Sequence, residues 1–266
     1  MRLHQICSSL GLECLPAQER LVEAYVELFL QWNLRVNLSA IQTREQVWTH
    51  HVADCLAVVP LLRQLLARRD TSSEEAAKAK ASKSPVSLLD AGTGAGLPAI
   101  ILSLWLPGLR VFAVDKVAKK LAFVRQVAAQ LGLREFHTVH ARLEDLRVAA
   151  SPGGCANAGQ ALVLGEGCAT EVPGAREALP GIGVDFLISR AFSNLSDLVS
   201  CSAHLLDRQG VWLAMKGRYP AGEIAVLARN HPGVEARVHP LEVPSLGEER
   251  CVVMLSRKAQ AWTQCP

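Results

Sequence analysis

Apolar residues at the start of the chain recur three and four positions apart, which is the spacing of one face of a helix. Over residues 21–32 this pattern predicts an amphipathic helix. Thr43, with Gln46 three residues later, resembles the capping box of a second helix, which we expect to run towards Val59. The pattern therefore predicts an N-terminal helical cap over residues 1–69.

From residue 86 the pattern changes to short apolar runs that alternate with helical periods. Such alternation predicts an α/β class, here a Rossmann-like, mostly parallel, doubly wound sheet with helices on both faces. The predicted strands cover residues 86–90, 111–115, 135–140, 184–189, 210–215, 234–241 and 250–256, and the predicted helices cover residues 99–106, 119–131 and 195–206.

Two stretches lack either pattern. Residues 70–85 hold mainly Ala, Ser, Lys and Glu, which predicts a solvated linker or a loose helix. Residues 149–183 are rich in Gly and Ala and show no sustained period, which predicts a mobile surface insertion. The main domain is then expected over residues 86–258, followed by a tail at 259–266.

Composition narrows the class of protein. A chain of 266 residues that is 50% hydrophobic can bury one substantial α/β core. It contains no apolar run of the roughly twenty residues that a membrane span needs, and the first residues lack the apolar region of a secretory signal. The eight cysteines form no C-x-x-C pair, which disfavours a zinc ribbon and fits a reducing cytoplasm. The net charge of +3 is too small to indicate a nucleic-acid partner by itself.

The most informative stretch follows the first predicted strand, where Asp90 precedes glycines at positions 92, 94 and 96. Glycines at alternate positions let the backbone turn sharply and approach a ligand closely. A dinucleotide fingerprint requires its third glycine at position 97, which is Leu97, so an NAD-dependent oxidoreductase is disfavoured. The pattern D-x-G-x-G-x-G instead resembles the first motif of S-adenosylmethionine (SAM) methyltransferases. The alternative is a glycine-rich turn that binds no ligand.

A second candidate ligand residue is Asp115, which ends the next predicted strand. In a Rossmann-like sheet this position lies at the carboxyl edge, where ligands bind, and a carboxylate there can accept both ribose hydroxyls of an adenosine. The alternative is that Asp115 only caps the helix that begins near Lys119.

Seven segments carry motifs that occur together in one family. They are residues 32–41 (W-N-x-x-x-N-L-S-x-I), 51–56 (H-x-x-D-C-L), 90–98 (D-x-G-T-G-x-G-x-P), 120–125 (K-x-x-F-V), 141–145 (x-R-x-E-x), 188–192 (with S-R-A) and 215–217 (with K-G). In this order they resemble the bacterial small-subunit rRNA guanine-N7 methyltransferases, the RsmG (GidB) family. The resemblance covers nearly the whole chain apart from the linker and the insertion. Ser39 and Cys55 stand where the family more often has Thr and Ser.

The resemblance implies an enzyme that transfers a methyl group from SAM to N7 of a guanine in 16S rRNA. It assigns Gly92 and Leu97 to the SAM-contacting turn, Leu143 and Glu144 to the adenine edge, and Arg190 to the mouth of the site. Together with the residues above, the predicted cofactor-binding set is Asp90, Gly92, Gly94, Gly96, Leu97, Asp115, Leu143, Glu144 and Arg190.

Two of these assignments leave alternatives open. The alternative for Glu144 is a solvated surface acid that contacts no ligand. Arg190 is the one candidate catalytic residue, and its expected role is positioning. We expect it to hold the SAM carboxylate or an RNA phosphate. The alternative is a structural salt bridge from Arg190 to Asp185 or Asp197.

The chemistry of an N7 target needs little from the protein. N7 has a free lone pair at neutral pH, so its attack on the sulfonium methyl requires no general base. We therefore expect no catalytic triad, no metal and no essential acid–base pair, and a contribution that is mainly positioning. His50, His51 and Asp54 could suggest a metal site, but only His51 and Asp54 converge on one helix face. We interpret them as a hydrogen-bonded pair that locks the cap onto the sheet.

Two basic clusters are the candidate RNA-binding residues. On the predicted fold they flank one side of the SAM site, where phosphate contacts would position an RNA. The alternative is a solvated helix face. The clusters comprise Lys116, Lys119, Lys120 and Arg125, and then Lys216 and Arg218.

The expected partner is 16S rRNA or the small ribosomal subunit, which includes an assembly intermediate, and the protein is expected to be a cytoplasmic monomer that does not bind membranes. Two other functions compete with this one. A small-molecule SAM methyltransferase predicts a deep apolar pocket without a basic rim. An inactive rRNA- or ribosome-binding protein predicts a damaged glycine turn, whereas the three glycines are present.

Overall fold

The computed structural model describes residues 3–71, 85–148, 178–179 and 183–258. Most of the predicted linker, most of the predicted insertion and the whole tail lie outside these residues. Within the described ranges, no helix is both long enough and apolar enough to cross a bilayer.

The main sheet has seven strands, which are β1 (Ser87–Ala91), β2 (Arg110–Asp115), β3 (Phe136–His140), β6 (Val184–Arg190), β7 (Leu206–Lys216), β8 (Val234–Leu241) and β9 (Arg250–Arg257). Their order across the sheet is β3-β2-β1-β6-β7-β9-β8. The first five in this order are parallel, and β9 pairs antiparallel with both β7 and β8. This confirms the mostly parallel Rossmann-like fold.

A two-stranded parallel sheet lies apart from the main one. It pairs β4 (Arg147–Val148) with β5 (Ala178–Leu179). The strand β5 falls within residues 149–183, which were expected to lack regular structure, so that expectation is wrong at these two residues.

Helices cover both faces of the sheet. The predicted helices are all present, although the first extends beyond residues 21–32 and the helix predicted at 195–206 ends at Ser202. The last cap helix continues two residues past the predicted end of the cap at 69. No separate helix was predicted at residues 3–9 or at residues 221–230. The helices are α1 (Leu3–Ser9), α2 (Pro16–Val36), α3 (Arg44–Val47), α4 (Asp54–Leu56), α5 (Val59–Thr71), α6 (Ala99–Trp105), α7 (Ala118–Gln130), α8 (Leu195–Ser202) and α9 (Ala221–Asn230), with a π-helical turn at Trp48–Ala53 and a 3-10 turn at Leu143–Asp145.

Alternate residues of each central strand point to opposite faces, and both faces are buried. Leu88 and Phe186 belong to a core shared with the cap helices, whereas Leu89 and Leu187 belong to a second core on the opposite face. Strands buried on both sides read as continuous apolar runs, which is why their positions were predictable. The cap therefore forms one layer of a single packed domain.

The strand order fixes where a ligand can bind. From β1 the chain moves outward through β2 and β3, and it then returns to β6 on the other side of β1. The connections that leave β1 and β6 therefore diverge, and a crevice opens at the carboxyl ends of these two strands.

A buried carboxylate shapes the connection that follows β1. Asp90 Oδ2 accepts hydrogen bonds from the Thr93 hydroxyl at 2.7 Å and from the backbone N–H of Ala99 at 3.2 Å. It thereby joins the end of β1 to the first residue of α6. Asp90 is fully buried, and its Oδ1 has no hydrogen-bond partner among the described residues. Burial raises the pKa of this carboxyl to about 6.

The raised pKa of Asp90 predicts a specific pH dependence of stability. Between its ordinary pKa of 3.8 and its folded value of about 6, the folded protein retains a proton that the unfolded chain releases. The contribution of Asp90 to the free energy of unfolding is therefore highest below pH 3.8 and falls as the pH rises to 6. At about 1.4 kcal/mol per pKa unit, this loss is on the order of 3 kcal/mol.

The variant Asp90→Asn has no titratable group at this position, so its free energy of unfolding should not show this decline. Denaturant unfolding of both proteins at several pH values between 4 and 7 should show the variant gaining on the wild type as the pH rises. A constant difference between the two proteins across this range would contradict the assignment.

Candidate functional site

The glycine turn, residues 92–97, combines two kinds of glycine. Gly92, Gly94 and Gly96 all have positive φ angles, of 73°, 58° and 79°. A Cβ at Gly92 would meet nothing within 4 Å, and one at Gly94 would meet only the Gly92 carbonyl oxygen at 3.9 Å. A Cβ at Gly96 would clash with the side chain of Ile100. The first two glycines therefore keep space open beside the backbone, whereas the third allows the turn to pack on α6.

Two neighbouring elements hold this turn. The Tyr25 hydroxyl of α2 donates to the Ala95 carbonyl at 3.0 Å. The Asp115 carboxylate at the end of β2 accepts from Gly94 N–H at 2.9 Å and from Val117 N–H at 2.8 Å. Asp115 thus lies beside the turn, as expected, and it also accepts from the residue that precedes α7, as in the capping alternative. Each carboxylate oxygen has two lone pairs, so both atoms keep capacity for a ligand.

A cavity of about 580 Å³ opens at the crevice between β1 and β6. Its walls come from the glycine turn, from the cap, and from the carboxyl-edge ends of β6, β7, β8 and β9. The structure brings together six of the predicted site residues here, namely Gly92, Gly94, Leu97, Lys120, Arg190 and Lys216.

Leu143 and Glu144 do not line this cavity. Their 3-10 turn follows β3, so it lies at the same carboxyl edge of the sheet, beyond β2. Leu143 is buried in the core of the second face. The Glu144 side chain is 54% exposed and lies 3.8 Å from an Arg142 nitrogen, which agrees with the solvated alternative and leaves the carboxylate accessible.

Arg190 is fixed by the cap. Its Nη1 donates to the His50 carbonyl at 3.1 Å and to His51 Nδ1 at 3.0 Å, and it lies 3.6 Å from Asp54 Oδ2. Arg190 therefore lines the cavity and also makes a structural salt bridge. Its partner is neither of the two acids that the sequence suggested, Asp185 and Asp197. Asp185 pairs with Arg69, and Asp197 accepts from Asn194.

The expected hydrogen bond between His51 and Asp54 is absent from the described contacts. Both side chains converge on Arg190 instead, because the π-helical turn directs them at the end of β6. Asp54 Oδ1 also lies 3.4 Å from Nε of Arg250 on β9. Burial raises the pKa of Asp54 in spite of its two arginine neighbours. The predicted pair is therefore wrong, although both side chains connect the cap to the end of β6 through Arg190.

The basic residues divide by environment. Lys116, Lys119 and Arg218 are exposed, Lys120 is partly exposed on the cavity, and Arg125 is partly buried. The expectation that Lys216 binds RNA needs correction. Its side chain is only 11% exposed, pairs with Glu223 at 2.8 Å and donates to the Phe192 carbonyl at 3.3 Å, so α9 neutralises it.

Sequence reasoning missed part of the cavity wall. Arg250 was not singled out because β9 reaches the cavity only through its antiparallel pairing with β7. Leu38, Ser39 and Ile41 lie in a motif that was noted, but no role was assigned to them. We call these three residues the cap wall.

Comparison with known proteins places the chain in a family. The family model for rRNA small subunit methyltransferase G (GidB) matches residues 18–153 and 172–253, and the gap between them falls within the predicted insertion. A ribosomal RNA small subunit methyltransferase G of Methylibium petroleiphilum is 35% identical over 96% of this chain and 93% of the relative. That of Aromatoleum aromaticum is 36% identical over 96% of this chain and 97% of the relative. The chain therefore belongs to the GidB family of rRNA small subunit methyltransferases, which are SAM-dependent enzymes.

Proposed function

We propose that this protein transfers the SAM methyl group to N7 of a guanine in small-subunit (16S) rRNA. The observation that carries the proposal is the cavity itself, which joins a glycine turn to a wall of cap residues. Burial, reinforced by the Arg190 charge, lowers the pKa of His51 to about 3. Asp54 is held between two arginines. A nucleophile with its own lone pair, such as N7, fits a site of this kind.

The glycine turn fits SAM, because a Cβ at Gly92 would enter the open space that the turn preserves. We propose that the methionine moiety lies along this backbone beside Leu97, and that Asp115 accepts the ribose hydroxyls. Leu143 and Glu144 would then contact the adenine further along the edge. Asp90 and Gly96 act indirectly, because they shape the turn and do not face the open space. SAM supplies a methyl group on a positively charged sulfur, which makes that methyl electrophilic.

The chain's own contribution is to orient the two reactants and to exclude water. Holding them in line can lower the barrier by several kcal/mol without proton transfer. Arg190 serves this role at the mouth, where its contacts with the cap fix the guanidinium beside the glycine turn. It is a positioning residue in this proposal, and its remaining N–H groups can meet the SAM carboxylate or an RNA phosphate.

We propose that the basic rim binds the RNA backbone. This rim comprises Lys116, Lys119, Lys120 and Arg218, with Arg125 behind it on α7, whereas Lys216 supports the wall through its pair with Glu223. The substrate is either free 16S rRNA or the small subunit, including its assembly intermediates, and the enzyme acts as a cytoplasmic monomer. Phosphate contacts position such a substrate without reading its sequence.

The variant Gly92→Ala tests the function and the SAM assignment together. Small-subunit rRNA incubated with SAM and wild-type protein should gain 7-methylguanosine, measured by mass spectrometry of its nucleosides. Gly92→Ala should lower SAM affinity at least about tenfold, measured by calorimetry, because the new methyl group occupies ligand space. The backbone strain of this change costs about 1–2 kcal/mol.

The matched control is Gly132→Ala. Gly132 has a φ of 67° and open space around it, but it lies in the turn after α7 and not on the cavity. The two variants should lose similar stability, and only Gly92→Ala should lose SAM affinity. Equal SAM affinity in both would contradict the assignment of the turn, and wild-type protein that forms no 7-methylguanosine would contradict the function.

Salt dependence tests the basic rim. The double variant Lys119→Ala, Lys120→Ala should bind rRNA with a log–log salt slope smaller in magnitude by about 1.5, because two phosphate contacts are lost. Its affinity for SAM should be unchanged. The control variant Arg229→Ala, Lys258→Ala removes the same charge at the opposite edge of the sheet, where α9 and β9 end. A double variant with the wild-type slope would show that Lys119 and Lys120 belong only to a solvated helix face.

A further inference from the structure

The side chain of Asn33 fixes the backbone of the cap wall. Asn33 Oδ1 accepts from Ser39 N–H at 2.9 Å, and its Nδ2 donates to the carbonyls of Ser39 and Ile41 at 3.1 and 2.8 Å. These bonds fix the backbone on both sides of the Ser39 side chain. Ser39 is partly exposed, and it lines the cavity between the apolar side chains of Leu38 and Ile41.

The contacts of His51 determine which of its ring nitrogens carries the proton. His51 Nδ1 lies 3.0 Å from Arg190 Nη1 and 3.1 Å from the His50 carbonyl oxygen. Arg190 has only N–H donors, so a proton on Nδ1 would face a cationic donor at 3.0 Å, and the His50 carbonyl already accepts from Arg190 Nη1. We therefore assign Nδ1 as the acceptor from Arg190. The pKa of His51, lowered to about 3, keeps the ring neutral at ordinary pH. The proton therefore lies on Nε2, which is 3.1 Å from Ser39 Oγ and donates to it.

This arrangement leaves Ser39 with one remaining function. Its Oγ accepts from His51 Nε2–H and, at 3.2 Å, from the backbone N–H of Ile41. A serine hydroxyl has two acceptor lone pairs and one O–H donor. Both lone pairs are occupied, so the hydroxyl can only donate. A cavity-lining group of this kind selects a ligand atom that accepts a hydrogen bond, and it rejects one that donates.

We infer that the Ser39 hydroxyl donates a hydrogen bond to O6 of the target guanine and thereby distinguishes guanine from adenine. The inference rests on the proposed function. O6 and N7 are adjacent acceptors on one edge of guanine, so a donor can hold O6 while N7 faces the methyl group. Adenine presents an amino donor at the same place, and Ser39 has no lone pair left to receive it. Leu38 and Ile41 beside the hydroxyl suit the apolar faces of a base better than a phosphate.

The experiment compares Ser39→Ala with the conservative variant Ser39→Thr. Each variant and the wild-type protein methylates small-subunit rRNA that carries either guanosine or 2-aminopurine riboside, which lacks O6, at the methylated position. On guanosine, Ser39→Ala should lower kcat/KM about tenfold, whereas Ser39→Thr should stay within about twofold of the wild type. On 2-aminopurine, all three proteins should have the same kcat/KM.

This comparison separates recognition of O6 from other roles of Ser39. A purely structural role would lower kcat/KM equally on both bases, and that result would overturn the inference. A decrease in SAM affinity, or a smaller salt slope of rRNA binding, would also overturn it, since the hydroxyl would then contact the cofactor or a phosphate. Wild-type activity in Ser39→Ala would refute this inference alone. Absence of 7-methylguanosine with wild-type protein would refute the proposed function, and this inference with it.

Discussion

The Asp90 carboxylate is the contact on which the geometry of the site depends. It lies near the end of the central strand of the parallel sheet, and with one oxygen it holds both a residue of the glycine turn and the first N–H of α6. Burying a carboxyl without a partner for its second oxygen is costly, and the raised pKa of Asp90 reflects that cost. The hydrogen bonds of Asp90 hold the turn, which has three positive φ angles, at the point where β1 and β6 diverge. The open space beside Gly92 follows from this arrangement.

The cap completes the site through polar contacts within an otherwise apolar interface. Helix α2 packs its buried face against the sheet and α7, and Tyr25 reaches the glycine turn from it. Apolar packing alone would tolerate small shifts of the cap. The charged contacts of Arg190 and Arg250 with Asp54 have stricter geometric requirements, so we attribute the orientation of the cap to them. Arg190 also contacts His51 Nδ1, and the donor role that we infer for Ser39 depends on that contact.

The fold was predictable where a local pattern determines the structure. Strands buried on both faces, the glycine turn and the strand-ending Asp115 all leave signals within a few residues. The π-helical turn at Trp48–Ala53 has no such signal, because it differs from an α-helix only in its hydrogen-bond register. Helix α9 was missed since Leu227 is its one buried residue, which leaves little apolar periodicity to detect.

Pairings between distant residues were the least predictable part of the site. Arg190 was placed at the correct edge of the sheet, but its partner Asp54 lies more than a hundred residues away and could not be distinguished from nearby acids. The pair between Lys216 and Glu223 was not predicted, because α9, which supplies Glu223, was not predicted. Ser39 lies in one of the sequence motifs, but its role depends on a chain of contacts through His51 that only the folded structure brings together.

The central claim is that one cavity has two separate parts, a cofactor part at the glycine turn and a substrate part at the cap wall. A crystal structure of the complex with S-adenosylhomocysteine tests it most directly. We expect this ligand to lie along the backbone of residues 92–97, with its ribose at Asp115 and its adenine near Glu144, and to leave Ser39 without a ligand contact. A ligand bound against Leu38, Ser39 and Ile41, away from the glycine turn, would contradict the account.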